Sequence, residues 1–144
     1  RKEIMELLEG VVDIYLADFK YTDSEMSSKY SPGADSYPKI STEALLEMNR
    51  QVGTVRFLED GRACRGLMIR HLVMPENVSG SIEAMRWIAA RLPLNTYVNI
   101  MIQYRPAYRA HLFPEIDSYV SREAYRQVVN EAKKLGLTNL DVDI

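Results

Sequence analysis

The chain has 144 residues, 47% of them hydrophobic and 26% charged, with a net charge of −2. That length and balance suit one globular core, and the charge gives no electrostatic basis for binding nucleic acid or an anionic membrane. No apolar run reaches the ~18 residues of a membrane span, and the single cysteine, Cys64, rules out an intrachain disulfide or a Cys-rich metal site and points to a reducing, cytoplasmic location.

A helical pattern (Ile4, Leu7, Leu8) is under way within four residues of Arg1, so the expectation is a chain entered in mid-domain. Residues 11–19 (VVDIYLADF) read as a strand. The segment 21–40, with Pro32, Gly33 and Pro38, reads as a long loop of the kind that is functional or mobile. A helix is expected over 41–53. Ser41 would cap it, Ile40 and Leu45 would form a hydrophobic staple, Gly53 would end it, and Ala44, Leu45, Met48 and Val52 would be its buried stripe. Residues 54–59 (TVRFLE) suggest a short strand, and Asp60-Gly61 a hairpin turn into 63–70. Cys64 falls between Arg62 and Arg65, which could lower its thiol pKa, but an ordinary free thiol in a polar turn is expected.

Residues 66–74 (GLMIRHLVM) form a second main strand, followed by a helix over 81–91 with Ile82, Met85, Ile88 and Ala89 inward. A third strand runs through 97–104 (YVNIMIQY), and a second long loop, 105–119, holds Pro106 and Pro114. The helix at 121–136 has Ser121 as cap, Val120 stapled to Tyr125, Val128, Val129, Ala132 and Leu135 inward, and Gly136 as its stop. A short strand is expected at 138–143. Nearly continuous apolar strands separated by helices indicate an α/β protein with a parallel sheet covered on its faces. Three such strands alone would leave open sheet edges, a second reason to expect a partial domain.

Alternation along the strands sorts the side chains by face. Ile14, Leu16, Asp18 and Lys20 share one face, as do Met68, Arg70, Leu72 and Met74, and as do Asn99, Met101, Gln103 and Arg105. Val98, Ile100 and Ile102 form a wholly apolar opposite face, which helices would cover. The mixed face then points inward, with polar groups near the C-terminal strand ends where parallel βα folds place their chemistry. Asp18, Lys20 and Arg70 there suit a zwitterionic ligand, amine to carboxylate and carboxylate to cation; the alternative is a structural ion cluster. His71 lies on the other face beside Ile69 and Val73, where a structural role is expected. His111 stands alone in a loop, and two histidines this far apart with no ligand spacing around them make a weak case for a metal site. The methionines mostly fall at core positions, where packing is the default role, and Tyr104, Tyr108 and Tyr119 could line a binding surface.

The strings VDIYLADFKY (12–21), KYSPGADSYP (29–38), EMNRQVG (47–53), ACRGLMIRHLVMPENVSGS (63–81) and YVNIMIQYRP (97–106) together resemble the C-terminal part of a radical S-adenosylmethionine protein. The group is the one similar to the pyruvate formate-lyase activating enzyme, and the resemblance spans about residues 3 to 140. It implies that residues 1–144 are the later half of one partial (βα)6 barrel holding S-adenosylmethionine and a [4Fe–4S] cluster. The cluster would reduce the sulfonium and release a 5′-deoxyadenosyl radical that abstracts hydrogen, in the activating enzymes from a glycine of a partner glycyl radical enzyme. An electron donor is then a second partner. By the same resemblance Asp18, Lys20 and Arg70 match residues lining the cofactor's methionyl region, and Gln103 or Arg105 matches a polar contact at the end of the sixth strand. The family's CxxxCxxC is absent, and three thiolates are what hold such a cluster. The expectation is therefore an enzyme half that is inactive alone and whose cluster ligands lie elsewhere.

Rival readings use the same residues. DFKYTD (18–23) matches the DxKxxD of orotidine monophosphate decarboxylase-like barrels, but 97–106 offers no glycine-rich phosphate-binding strand end. A Schiff-base lyase could use a desolvated Lys20, although Asp18 beside it opposes the needed loss of charge. A non-catalytic binding domain would make the charged cluster structural.

Overall fold

A computed structural model describes residues 2–143. In chain order the described residues form α1 (Lys2–Glu6), β1 (Ile14–Asp18), α2 (Ser24–Tyr30), α3 (Tyr37–Val52), β2 (Arg56–Phe57), β3 (Ala63–Leu72), α4 (Ser81–Arg91), β4 (Tyr97–Met101), α5 (Arg122–Lys134) and β5 (Leu140–Val142), with 3-10 turns at Pro75–Asn77 and Ala110–Leu112. β1, β3, β4 and β5 pair in parallel in that order, while β2 lies antiparallel to β3. The class is α/β with a parallel sheet and flanking helices.

One face of the sheet is the core. Tyr15, Leu67, Ile69, Val98 and Ile100 alternate inward and pack with Leu45 and Val52 of α3, Met85 and Ile88 of α4, and Val128, Val129 and Ala132 of α5. Each fully buried aliphatic side chain contributes ~1.5–3 kcal/mol, so this layer holds the helices to the sheet. The opposite face is bare: Leu16 is 57% exposed and Ile14 37%. The β2 hairpin reaches it, where Phe57 meets Tyr97 with ring centroids 6.3 Å apart. The continuous apolar look of the strands thus came from one packed face and one apolar but uncovered face.

The helix ends mostly follow local chemistry. Ser121 accepts from the Ala124 amide at 3.0 Å, opening α5, and Gly53 and Gly136 take positive φ at the ends of α3 and α5. Val120 and Tyr125 are buried in the same cluster.

Three local expectations need correction. α3 starts at Tyr37, because Pro38 suits the first turn of a helix; Ser41 sits inside it and donates back to the Pro38 carbonyl at 3.1 Å instead of capping. The 21–40 loop contains α2, whose cap Asp23 accepts from the Met26 amide at 2.8 Å. Cys64 lies on β3 rather than in a turn, exposed, with Sγ donating to the Arg56 carbonyl at 3.3 Å.

Candidate functional site at the strand ends

The end of β1 is held by what surrounds Phe19. The Phe19 ring is buried in the core layer, so Asp18 and Lys20 on either side of it project from the uncovered face. Its amide donates to the Arg70 carbonyl at 2.9 Å, and its carbonyl lies 2.7 Å from His71 Nδ1. A carbonyl only accepts, so Nδ1 carries the proton and Nε2 accepts from Ser81 Oγ at 2.8 Å. Ser81 in turn meets Ser79 Oγ at 2.9 Å, and Ser79 Oγ accepts from the Met74 amide at 3.3 Å. Every group in this buried chain has a partner, and burial pushes the His71 imidazole down to about 4, so it stays neutral. His71 is structural, as its face implied, and what it positions is the backbone between Asp18 and Lys20.

Register does the rest. Asp18 pairs with Arg70, Arg70 with Asn99, and Asn99 with Asp141, giving one polar row across four strands. Arg70 Nε and Nη2 both donate to Asp18 Oδ1, at 2.8 and 2.7 Å. Lys20 Nζ stands 3.6 Å from Asp18 Oδ2. These groups remain accessible, with Asp18 32%, Arg70 41% and Lys20 58% exposed. Further along the row, Asp141 Oδ2 accepts from Asn99 at 2.8 Å and from the Tyr97 hydroxyl at 2.7 Å. Burial and the neighbouring Asp141 push Tyr97 up to about 12, which keeps it a donor.

Asp18, Lys20, Arg70, Gln103 and Arg105 all line one cleft of about 400 Å³, walled by Leu72, Met101, Tyr104 and Ala107. Gln103 Nε2 approaches Met101 Sδ at 3.6 Å. Three cationic side chains face one carboxylate in it, an arrangement that favours a ligand with an anionic group and leaves one acceptor for an amine. Tyr37 completes the site and was not foreseen. Its hydroxyl accepts from the Lys20 amide at 2.9 Å and donates to the Asp18 carbonyl at 2.8 Å, clamping the strand end. Burial raises its pKa and preserves the proton it donates. No periodicity marked Tyr37, because it starts a helix that docks from another element.

The other sequence candidates separate. Tyr104 walls both the cleft and a neighbouring pocket, Tyr108 lines only the latter, Tyr119 is exposed away from both, and among the described residues no group of three His, Cys, Asp or Glu is placed to hold a metal. A larger groove of about 820 Å³ lies against α5 and the open edge of β5, lined by Arg122, Arg126, Lys133 and Asp143, and includes none of the expected site residues. Among the described residues no helix is long and apolar enough to cross a membrane.

No family model matches the chain. Over 135 residues, 94% of its length, it is 32% identical to an uncharacterized protein of Methanocaldococcus jannaschii, and the match covers 36% of that protein. The chain therefore spans about a third of the length of the curated relative it matches. No solved structure matches.

Proposed function

We propose that this chain supplies the later strands of a partial (βα)6 radical S-adenosylmethionine barrel and the groups that hold the methionyl end of that cofactor. The whole protein would be an oxidoreductase similar to the pyruvate formate-lyase activating enzyme. The observation that carries the reading is the convergence of Asp18, Lys20, Arg70, Gln103 and Arg105 on one cleft at the C-terminal strand ends. Ligands of parallel βα folds bind there.

The donor set fits a zwitterionic amino-acid end. Asp18 Oδ2 is ion-paired with Lys20 at 3.6 Å, too long for a hydrogen bond, so it can accept one from an ammonium group. Arg70 and Lys20 donate to the carboxylate, and Gln103 can donate or accept. Leu72 and Met101 give the cleft its apolar wall. When bound, S-adenosylmethionine supplies the hydrogen-abstracting chemistry; the residues of this chain bind and orient it. An iron–sulfur cluster does not fit the groups present. Cys64 is the chain's one cysteine and lies near the start of β3, at the far end of the strand from Arg70. The reading therefore requires cluster ligands outside this chain. It also requires a glycyl radical enzyme and an electron donor as partners, in a cytoplasmic setting.

The pairing of Asp18 with both Arg70 and Lys20 favours a second reading, a structural ion cluster tying β1 to β3. Calorimetric titration of the full-length protein with S-adenosylmethionine, without oxygen, separates the two. Losing one charge-assisted hydrogen bond costs about 1.5–3 kcal/mol, roughly 10- to 150-fold in affinity. Asp18→Asn and Arg70→Met should each weaken binding by that order. Absence of binding by the parent protein, with both variants only less stable, would establish the structural reading instead.

A further inference from the structure

Beside the cleft lies a second pocket of about 260 Å³, sharing Tyr104, Arg105 and Ala107 with it. Its walls are aromatic, and the hydroxyls of Tyr21, Tyr30 and Tyr104 are engaged elsewhere. Tyr104 OH donates to the Ile116 carbonyl at 2.8 Å, Tyr30 OH to Glu115 at 2.6 Å, and Tyr21 OH meets Ser31 Oγ at 3.4 Å. The tyrosines therefore offer ring surface, together with Met74 and Ile116, and the polar groups left to a ligand are those of the arginines at the rim. Its walls are also pre-set. Lys29 and Tyr30 of α2 both bind Glu115, which joins the segments 21–40 and 105–119 above the sheet.

Two features mark the pocket as more than a packing defect. Arg105 and Arg109 line it, both exposed, and neither has an acidic partner within ion-pair distance among the described residues. Tyr108, between Ala107 and Arg109, holds a left-handed backbone (φ 55°) while 86% exposed, with the Arg109 guanidinium 5.3 Å from its ring. A bulky residue in that conformation is strained, and its exposure gives no burial in return.

We propose that this pocket is a recognition subsite for an aryl acid, an aromatic ring bearing a nearby carboxylate, with the ring among the tyrosines and the carboxylate on Arg109 and Arg105. As a site beside a bound cofactor it rests on the cofactor reading, since the shared wall sets the ligand next to the cleft of Asp18 and Arg70. At 260 Å³ the pocket lies just below the ~300–1,000 Å³ of drug-sized sites, so it takes one ring and not a larger body.

The test is an NMR titration of the full-length protein with phenylacetate, benzyl alcohol and acetate, following the Met74 and Ala110 methyl signals. Phenylacetate should shift both and bind about tenfold more tightly than either fragment, as expected for a ring contact joined to a charge-assisted hydrogen bond. Arg109→Gln should erase its advantage over benzyl alcohol. Tyr108→Gly should weaken phenylacetate while leaving the melting temperature no lower, because glycine relieves the backbone. Unmoved methyl signals, equal binding of phenylacetate and benzyl alcohol, or a fall in melting temperature for Tyr108→Gly would overturn the proposal. S-adenosylmethionine is titrated into the same sample. Its binding without that of phenylacetate sinks the subsite alone; the reverse sinks the cofactor reading and leaves the subsite standing.

Discussion

Replacing His71 by glutamine perturbs the buried chain that fixes the backbone between Asp18 and Lys20. Burial lowers the His71 imidazole from 6.5 to about 4, so between those values the unfolded chain takes up a proton that the fold refuses. Stability is then full above pH 6.5 and is lost as pH falls toward 4. Linkage puts the loss between pH 7 and pH 5 at about 2 kcal/mol for this one group. The window lies mostly above carboxylate titration, and the carboxylates are common to parent and variant, so subtracting one pH profile from the other isolates the histidine. Urea unfolding at pH 7, 6 and 5 provides the assay, provided that two probes give coincident transitions. His71→Gln should be less stable at pH 7 by ~1–3 kcal/mol, for one buried polar partner lost, yet lose about 2 kcal/mol less on acidification. Parallel profiles for the two proteins would refute the reasoning, as would an NMR titration showing His71 charged above pH 6.

Two further outcomes follow from the geometry. In Gly66→Ala the new Cβ would lie 2.3 Å from Val55 Cα and 2.6 Å from Thr54 backbone atoms, at φ 128°. Backbone cannot yield as a side chain does, so the melting curve should show a loss above about 3 kcal/mol or no folded protein. Tyr37→Phe keeps the ring against Tyr21, 6.1 Å away, but removes the hydroxyl that joins Asp18 to Lys20. Stability should fall by about 1 kcal/mol, and S-adenosylmethionine affinity with it by calorimetry; unchanged affinity would remove Tyr37 from the site.

Most of the strand-face assignment was legible because it depends on period alone. Alternation put Asp18, Lys20 and Arg70 on one face and His71 on the other, and each side chain lies where that rule sends it. Helix ends were legible where one residue supplies the signal, as Ser121 and Gly53 do. They were misread where two signals competed, as when Pro38 opened α3 ahead of Ser41. The short α2 has little apolar periodicity and rests on the Asp23 cap and on packing, with Tyr30 reaching Glu115 across the chain.

By itself the sequence determined the α/β class, the parallel character of the main strands and the inventory of groups at the strand ends. These follow from periodicity and from the chemistry of single residues, which are local. Only the tertiary structure decided that Asp18 stands opposite Arg70, that Tyr37 clamps the strand end, and that all the core-forming helices lie on one side of the sheet. Register and docking are set by contacts between residues 17 to 52 positions apart. Local pattern carries no term for which distant partner wins, because that depends on the total packing of one face.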